Sequence, residues 1–239
     1  MKNLQKRFWE VDFLRGIAII MMIVFHIIDD INFFMWNTFN TSSGFWYYLA
    51  RLTVMIFLLL VGISLTLSFS RNKNAPWMKY LKRGLKIFSW GLLITLMTWI
   101  FFRRGFVMFG VLHMIGVSII LAYPFLKLKY WNLGIGAVFV IAGILLKNLV
   151  FGFSWLVWLG LKPTTFYTVD YIPILPWFGV VLIGIFLGNW LYSGYKRQFS
   201  LPDLSKNPIV KVFCWLGQKS LIIYLIHQPL LIGVLYLLL

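Results

Sequence analysis

Three histidines, His26, His113 and His227, lie inside long apolar stretches of this sequence, and the chain has no others. Histidine titrates near neutral pH, so it can take a proton from an amine or a hydroxyl, and a nearby carboxylate can fix its tautomer and raise its basicity. The same groups inside a membrane also suit a proton-coupled transporter. The histidines therefore indicate proton chemistry and leave the type of reaction open.

The first apolar stretch carries charged residues at both ends, which is costly for a membrane span. On a helix with about 100° per residue, Arg15 and His26 lie within roughly 20° of one another. Asp30 lies about 40° further round, in line with Asp12, and Asp29 lies about 40° from Arg15 on the other side. Since charges in a membrane usually face a protein interior or a wet cavity, this helix is predicted to form one wall of a site.

The composition places these residues in a polytopic membrane protein. Of the 239 residues, 61% are hydrophobic and only 12% are charged, which excludes an ordinary soluble domain. The formal net charge of +16 comes mostly from basic residues in alternate loops, as membrane topology requires, so nucleic-acid binding is not expected. Because Cys214 is the only cysteine, an intramolecular disulfide and a cysteine-cluster metal site are excluded, and no metal is expected.

The hydropathy pattern predicts an all-α integral membrane protein, a compact bundle of seven transmembrane helices in a single domain over 1–239. Each apolar run is close to the ~20 residues that a bilayer needs. The predicted spans are 11–30, 48–68, 87–102, 108–126, 131–151, 171–192 and 220–239.

The charges of the connecting segments predict the orientation of the bundle. Segments 71–86, 127–129 and 196–219 hold most of the lysines and arginines, and such an excess marks the cytoplasmic side. The N-terminus is therefore predicted to be cytoplasmic and the C-terminus to be outside, in a multi-pass protein of the plasma membrane. No small-residue cleavage site follows the first span, so we expect that span to stay in the mature protein. Pro76-Trp77 fits the start of a short interfacial helix.

Short motifs occur in order along five of the predicted spans. They are Asp12-x-x-Arg15-Gly16, Met22-x-x-x-His26, Phe57-Leu-Leu-Leu-Val-Gly62, Gly110-Val-Leu-His113-x-Ile-Gly116, Asp170-Tyr-x-Pro173-x-x-Pro176-Trp-Phe-Gly179 and Gly217-x-x-Ser220-Leu-x-x-Tyr224-x-x-His227-x-Pro229. Together they resemble the heparan-alpha-glucosaminide N-acetyltransferase catalytic domain family. The opening and closing motifs are also similar to those of the larger acyltransferase-3 family.

This resemblance implies an acyltransferase that works across the membrane. Acetyl-CoA is the implied co-substrate on the cytosolic side, and the implied acceptor is an amine or hydroxyl of an extracytoplasmic sugar, glycan or lipid headgroup. In the best-known member of the family a catalytic histidine lies in the loop after the first span, where this chain has Asn37. The identity of the base is therefore left open.

Combined with the residues, the resemblance assigns a role to each candidate. His26, oriented by Asp29 or Asp30, is predicted to deprotonate the acceptor, and His113 is the alternative base. Whether the acetyl group moves directly or through an acetyl-histidine is left open.

The remaining candidates are predicted to hold the two substrates. Arg103, Arg104 or backbone donors are expected to stabilise the carbonyl oxygen as it gains charge, and Asp170 and His227 are grouped with them on the substrate side. Basic residues are expected to meet the phosphates of acetyl-CoA as point charges. The residues assigned to acetyl-CoA are Arg15, Arg51, Lys82 and Arg83.

Two other classes of function stay open. One is a proton-coupled transporter or flippase of a small polar solute or lipid, and the other is a scaffold whose polar residues only hold the bundle together. The sequence has no inverted repeat and no pair of broken helices, which argues against transport. The expected partners are the lipid bilayer, acetyl-CoA and the acceptor, and homodimer formation is left open.

Overall fold

A computed structural model describes residues 7–34 and 39–238, so Asn37 lies outside the described residues. The described residues form eight α-helices and two short strands. The helices are α1 (Trp9–Phe34), α2 (Gly44–Arg71), α3 (Trp77–Phe102), α4 (Val111–Phe125), α5 (Asn132–Leu146), α6 (Ile174–Leu191), α7 (Pro208–Gln218) and α8 (Ser220–Leu238). The strands β1 (Val150–Phe151) and β2 (Lys162–Pro163) pair in parallel, with Val150 opposite Lys162.

Six helical segments are long and apolar enough to cross a membrane, which confirms the prediction of an all-α membrane protein. They are Trp9–Phe34, Gly44–Arg71, Trp77–Phe101, Val111–Leu146, Ile174–Leu191 and Ser220–Leu238. The fourth segment contains both α4 and α5, joined by a 3-10 turn (Leu126–Trp131) in which Lys129 has non-helical angles, φ 46° and ψ −107°. The count of seven spans and the orientation of the termini stay predictions.

Two segments differ from the sequence prediction. The prediction of a separate short interfacial helix starting at Pro76-Trp77 is wrong. A helix does begin at Trp77, with Pro76 as its extended N-cap, but it continues as the 26-residue helix α3. The second difference is the helix α7, because the sequence predicted only a polar connecting segment there. Its start has a clear local cause: the Asn207 side chain accepts hydrogen bonds from the backbone N–H groups of Ile209 and Val210, and Pro208 occupies the first turn.

The described chain divides into two compact units, and the boundary falls within α2, between Phe57 and Leu58. The prediction of a single domain over 1–239 is not tested by this division. The first unit contains α1, the first half of α2, α7 and α8, and the second contains the remainder of α2 with α3 to α6.

Glycines set the helix packing in the first unit, where α1 packs against both α7 and α8. A Cβ atom added at Gly16 would collide with the backbone of Phe213, and one added at Gly217 would collide with the backbone of Asp12. Small residues let two helix backbones approach closely inside a membrane. The glycines of the opening and closing motifs therefore hold α1 and α7 together.

Glycines also allow close packing between α2 and α6 in the second unit. A Cβ atom added at Gly62 would meet the backbone of Val181, and one added at Gly184 would meet that of Leu59. In the same unit α3 packs on α4, and α5 packs on α6. The centre of this unit is apolar, with Val181, Leu182 and Ile185 of α6 fully buried.

Candidate active site

His26 and His227 lie side by side in the first unit. His26 is half-buried on α1 and His227 is buried on α8, and their ring centroids are 4.9 Å apart. The sequence analysis assigned them different roles, His26 as the base and His227 on the substrate side. The structure brings them together as a pair.

The orientation of His227 is fixed by its own helix. Its Nδ1 lies 2.7 Å from the backbone carbonyl oxygen of Tyr224, so Nδ1 carries the proton and donates it to that oxygen. In this tautomer Nε2 has a free lone pair. Nε2 is buried, and it has no hydrogen-bond partner among the described residues.

Asp30, one turn beyond His26 on α1, and Gln228, the residue after His227 on α8, join the same two helices. The Gln228 side-chain amide donates to Oδ1 of Asp30 at 2.6 Å. The other oxygens of this pair, Oδ2 of Asp30 and Oε1 of Gln228, are buried without a partner among the described residues. Asp29, the neighbour of Asp30, is half-buried. The sequence analysis assigned no role to Gln228, although a glutamine directly after a histidine in a predicted span indicates a polar site.

The unpartnered atoms of this cluster are all hydrogen-bond acceptors. They are Asp30 Oδ2, His227 Nε2 and Gln228 Oε1, and each would cost free energy if it stayed without a donor. A ligand that supplies N–H or O–H groups would satisfy them. We call His26, Asp30, His227 and Gln228 the α1–α8 cluster.

His113, the alternative base, lies in the second unit with both ring nitrogens engaged. Nδ1 accepts from the backbone N–H of Gly110 at 3.2 Å, which leaves the proton on Nε2, 3.3 Å from the Thr95 hydroxyl. The ring is buried against Phe88 and stacks on Phe109. This arrangement caps the N-terminus of α4 and leaves no ring nitrogen free for a substrate.

Asp170 also serves the N-terminus of α4. Its Oδ2 accepts from the backbone N–H of Val111 at 3.2 Å, where the positive end of the helix dipole favours a carboxylate. Next to it, the Tyr171 hydroxyl donates to the carbonyl oxygen of Val157 at 2.6 Å, and burial raises the pKa of Tyr171 to about 12. The Asp170 motif thus fixes the loop that precedes α6.

The arginines and lysines assigned from the sequence are mostly exposed. Arg103, at the end of α3, and Arg104 are exposed, as are Lys82 and Arg83 on α3. Arg15 is half-buried and pairs with Asp12 at 3.0 Å, while the guanidinium of Arg51 lies 5.2 Å from the centre of the Tyr47 ring. All of these assignments stay predictions.

The part of the chain that is described contains no group of three or more His, Cys, Asp or Glu side chains that could hold a metal ion. The cluster on α1 and α8 has one carboxylate and two histidines, and Gln228 engages the carboxylate. The expectation that no metal is needed stays a prediction.

Comparison with known proteins yields one finding. The family model described as "Heparan-alpha-glucosaminide N-acetyltransferase, catalytic" matches residues 7–229, nearly the whole chain. No curated protein sequence matches the chain. No solved structure matches it either. The resemblance predicted from the motifs is thereby confirmed.

Proposed function

Because this chain belongs to the heparan-alpha-glucosaminide N-acetyltransferase catalytic family, whose members are acetyltransferase-type membrane enzymes, we propose that it moves an acetyl group across the membrane. The donor is cytosolic acetyl-CoA. The acceptor is an amine or hydroxyl of an extracytoplasmic sugar, glycan or lipid headgroup, and the α1–α8 cluster binds it.

The three unpartnered acceptors of the cluster carry this proposal. A sugar amine or hydroxyl supplies the N–H and O–H donors that Asp30 Oδ2, His227 Nε2 and Gln228 Oε1 lack. A carboxylate also suits the ammonium form of an amine. The chemistry of the cluster therefore favours a polar acceptor with several donors over an apolar one.

The His26–His227 pair acts as the general base. His227 Nε2 accepts the proton, since Nδ1 is committed to the carbonyl of Tyr224, and the neighbouring ring of His26 completes the pair. As the acceptor loses its proton, its nitrogen or oxygen attacks the thioester carbonyl. The carbon–sulfur bond then breaks, and the CoA thiolate leaves and takes up a proton.

The reaction requires a defined topology. We propose that α4 and α5 cross the membrane separately, which makes seven spans with the N-terminus inside and the C-terminus outside. The α1–α8 cluster then lies toward the outer side of the plasma membrane, as an extracytoplasmic acceptor requires. The assignment of Arg103 and Arg104 to the carbonyl oxygen stays a prediction from the sequence.

The test is thioester turnover by the purified full chain in lipid nanodiscs, with radiolabelled acetyl-CoA as donor and glucosamine as the acceptor probe. His26→Ala and His227→Ala are expected to lower CoA release by about 10²- to 10⁴-fold, the usual contribution of a general base. His113→Ala is the matched control, because it removes a histidine from the second unit.

Two outcomes contradict the proposal. Turnover at wild-type rate in both His26→Ala and His227→Ala would remove the α1–α8 cluster from catalysis. A wild-type chain that binds no acetyl-CoA would overturn the acetyltransferase proposal, and movement of solute without CoA release would favour the transporter or flippase.

A further inference from the structure

A pocket of about 290 Å³ lies at the other end of α1, between its N-terminal turn and α7. Its lining includes the cationic side chains of Arg7 and Lys211, the indole rings of Trp9 and Trp215, and the thiol of Cys214. All of these residues belong to the first unit. None of them was assigned a function from the sequence.

The charged side chains in the lining of this pocket are two cations and one carboxylate. Arg7 and Lys211 are both exposed at its surface. The carboxylate in the lining, Asp12, is compensated on both oxygens: Arg15 donates to Oδ1 and Gln218 donates to Oδ2, each at 3.0 Å. With Asp12 paired to Arg15, Arg7 and Lys211 outnumber Glu10, the other carboxylate whose charge reaches Cys214, so an excess of one positive charge remains to attract an anion.

The aromatic residues add a hydrogen-bond donor and an open ring face. The indole N–H of Trp9 is buried and has no acceptor among the described residues, which is a costly state for a strong donor. Trp215 is 57% exposed although it is a large apolar side chain. An anion at Trp9 would supply the missing acceptor, and the exposed ring of Trp215 offers a surface for an organic group attached to it.

We infer that the pocket between α1 and α7 is a binding site for a phosphorylated ligand, held by Arg7, Lys211 and the indole N–H of Trp9. Its volume suits a phosphate with a small attached group and is below that of sites that enclose a whole drug-sized molecule. Two sources supply this chemistry: the phosphates of a coenzyme or nucleotide, and the headgroup of an anionic phospholipid. Only the coenzyme source rests on the proposed function.

Cys214 provides the readout, because it lines the pocket and is the only cysteine of the chain. Its alkylation rate in the purified full-length protein is measured in two arms. In the first, adenosine 3′,5′-bisphosphate is added to protein in phosphatidylcholine nanodiscs. In the second, nanodiscs that contain phosphatidylglycerol replace pure phosphatidylcholine. This bisphosphate has no thiol, so it does not consume the reagent.

We expect at least a fivefold slower alkylation in one arm for the wild type, and the arm that protects identifies the source. Arg7→Gln and Lys211→Gln are expected to abolish the protection. Lys206→Gln, which removes one positive charge near α7 but outside the pocket lining, is expected to keep it.

The inference is overturned if neither arm protects Cys214, or if Arg7→Gln and Lys211→Gln protect it as well as the wild type does. These results are separate from those for the proposed function, because labelling requires no turnover. Normal thioester turnover without protection of Cys214 would overturn only the proposed ligand site. Protection of Cys214 without turnover would overturn only the proposed acetyltransferase function.

Discussion

His26 and His113, the two candidate bases in the sequence, have very different surroundings. His113 is held at both ring nitrogens, by the Gly110 backbone and by Thr95. The ring of His26 lies beside His227, whose Nε2 is unpartnered among the described residues. A base needs a free lone pair, so the pattern of hydrogen bonds, and not the residue type, separates these histidines.

The first residue-scale prediction concerns the cap formed by His113. His113→Ala leaves the buried N–H of Gly110 without its acceptor and removes a buried ring packed on Phe88 and Phe109, so we expect a loss of about 2–5 kcal/mol in the free energy of unfolding. Thermal unfolding in detergent measures the loss, and turnover per folded protein should stay unchanged. Thr95→Val is a companion variant that removes the Nε2 partner together with the hydrogen bond from the Thr95 hydroxyl to the Val107 carbonyl oxygen, and it keeps the bond between Gly110 and Nδ1. A His113→Ala protein with full stability and no turnover would instead make His113 the base.

The second residue-scale prediction concerns the ionisation of Cys214. Burial, and then the charges of Asp12 and Glu10, raise the pKa of its thiol above the usual value. Because only the thiolate reacts, the alkylation rate of the folded protein should still rise about tenfold per pH unit at pH 8–9. The chain unfolded in sodium dodecyl sulfate should level off at lower pH. A folded-state rate that is constant above pH 8 would contradict this expectation.

At the scale of the helices, the motifs that carry the family resemblance serve packing as much as chemistry. Gly16 and Gly217 belong to the opening and closing motifs, and each touches the backbone of the opposite helix. Asp12 in the opening motif bonds to Arg15 of its own helix and to Gln218 of α7. The α1–α7 contact therefore explains the spacing of these residues without a substrate.

The element-scale prediction tests this contact. Gly217→Ala and Gly16→Ala place a Cβ atom against a backbone, so each should cost about 1–3 kcal/mol of stability through overpacking, measured as a lower midpoint of thermal unfolding in detergent. Gly233→Ala in α8 is the matched control, since nothing lies within 4 Å of its added Cβ atom. The control should be neutral or slightly stabilising, because alanine favours a helix. Equal midpoints for all three variants would refute the packing role.

At the scale of the whole molecule, the number of crossings depends on the segment Val111–Leu146. A single helix of this length would be about 54 Å long, well beyond the ~30 Å core of a bilayer. The non-helical Lys129 divides it into α4 and α5, each of 15 residues. Each helix is about 22 Å long, so two crossings with a turn at Lys129 are consistent with the proposed topology, and the number of crossings stays a prediction.

The whole-molecule prediction is an accessibility experiment in a Cys214→Ser background. A cysteine placed at Lys129 should react with a membrane-impermeant maleimide only after the cells are opened, because the turn is predicted to be cytoplasmic. A cysteine placed at Tyr167 should react in intact cells. If Lys129→Cys stays unreactive in opened cells while the detergent-solubilised protein reacts, the segment crosses once and the seven-span topology is wrong.

The class of protein, the family and most of the helices could be predicted from the amino-acid sequence. Long apolar runs specify membrane helices because an unsatisfied backbone cannot remain in lipid, and that constraint is local. The ordered motifs from Asp12 to Pro229 specified the family, which the match over residues 7–229 confirmed. The helix α7 was not predicted, because its eleven residues are too few to form the long apolar run of a membrane helix.

The contacts between polar groups could not be predicted in this way, because they depend on how the helices pack. His26 and His227 are about 200 positions apart in the chain, and Asp30 and Gln228 are separated by a similar length of chain. No local periodicity of the sequence relates the two members of either pair. The tautomer of His227 and the occupied nitrogens of His113 likewise depend on neighbours that packing supplies. Hydrogen bonding and burial are properties of the packed helices, and these distinguish His227, whose Nε2 is unpartnered among the described residues, from His113, whose two ring nitrogens are engaged.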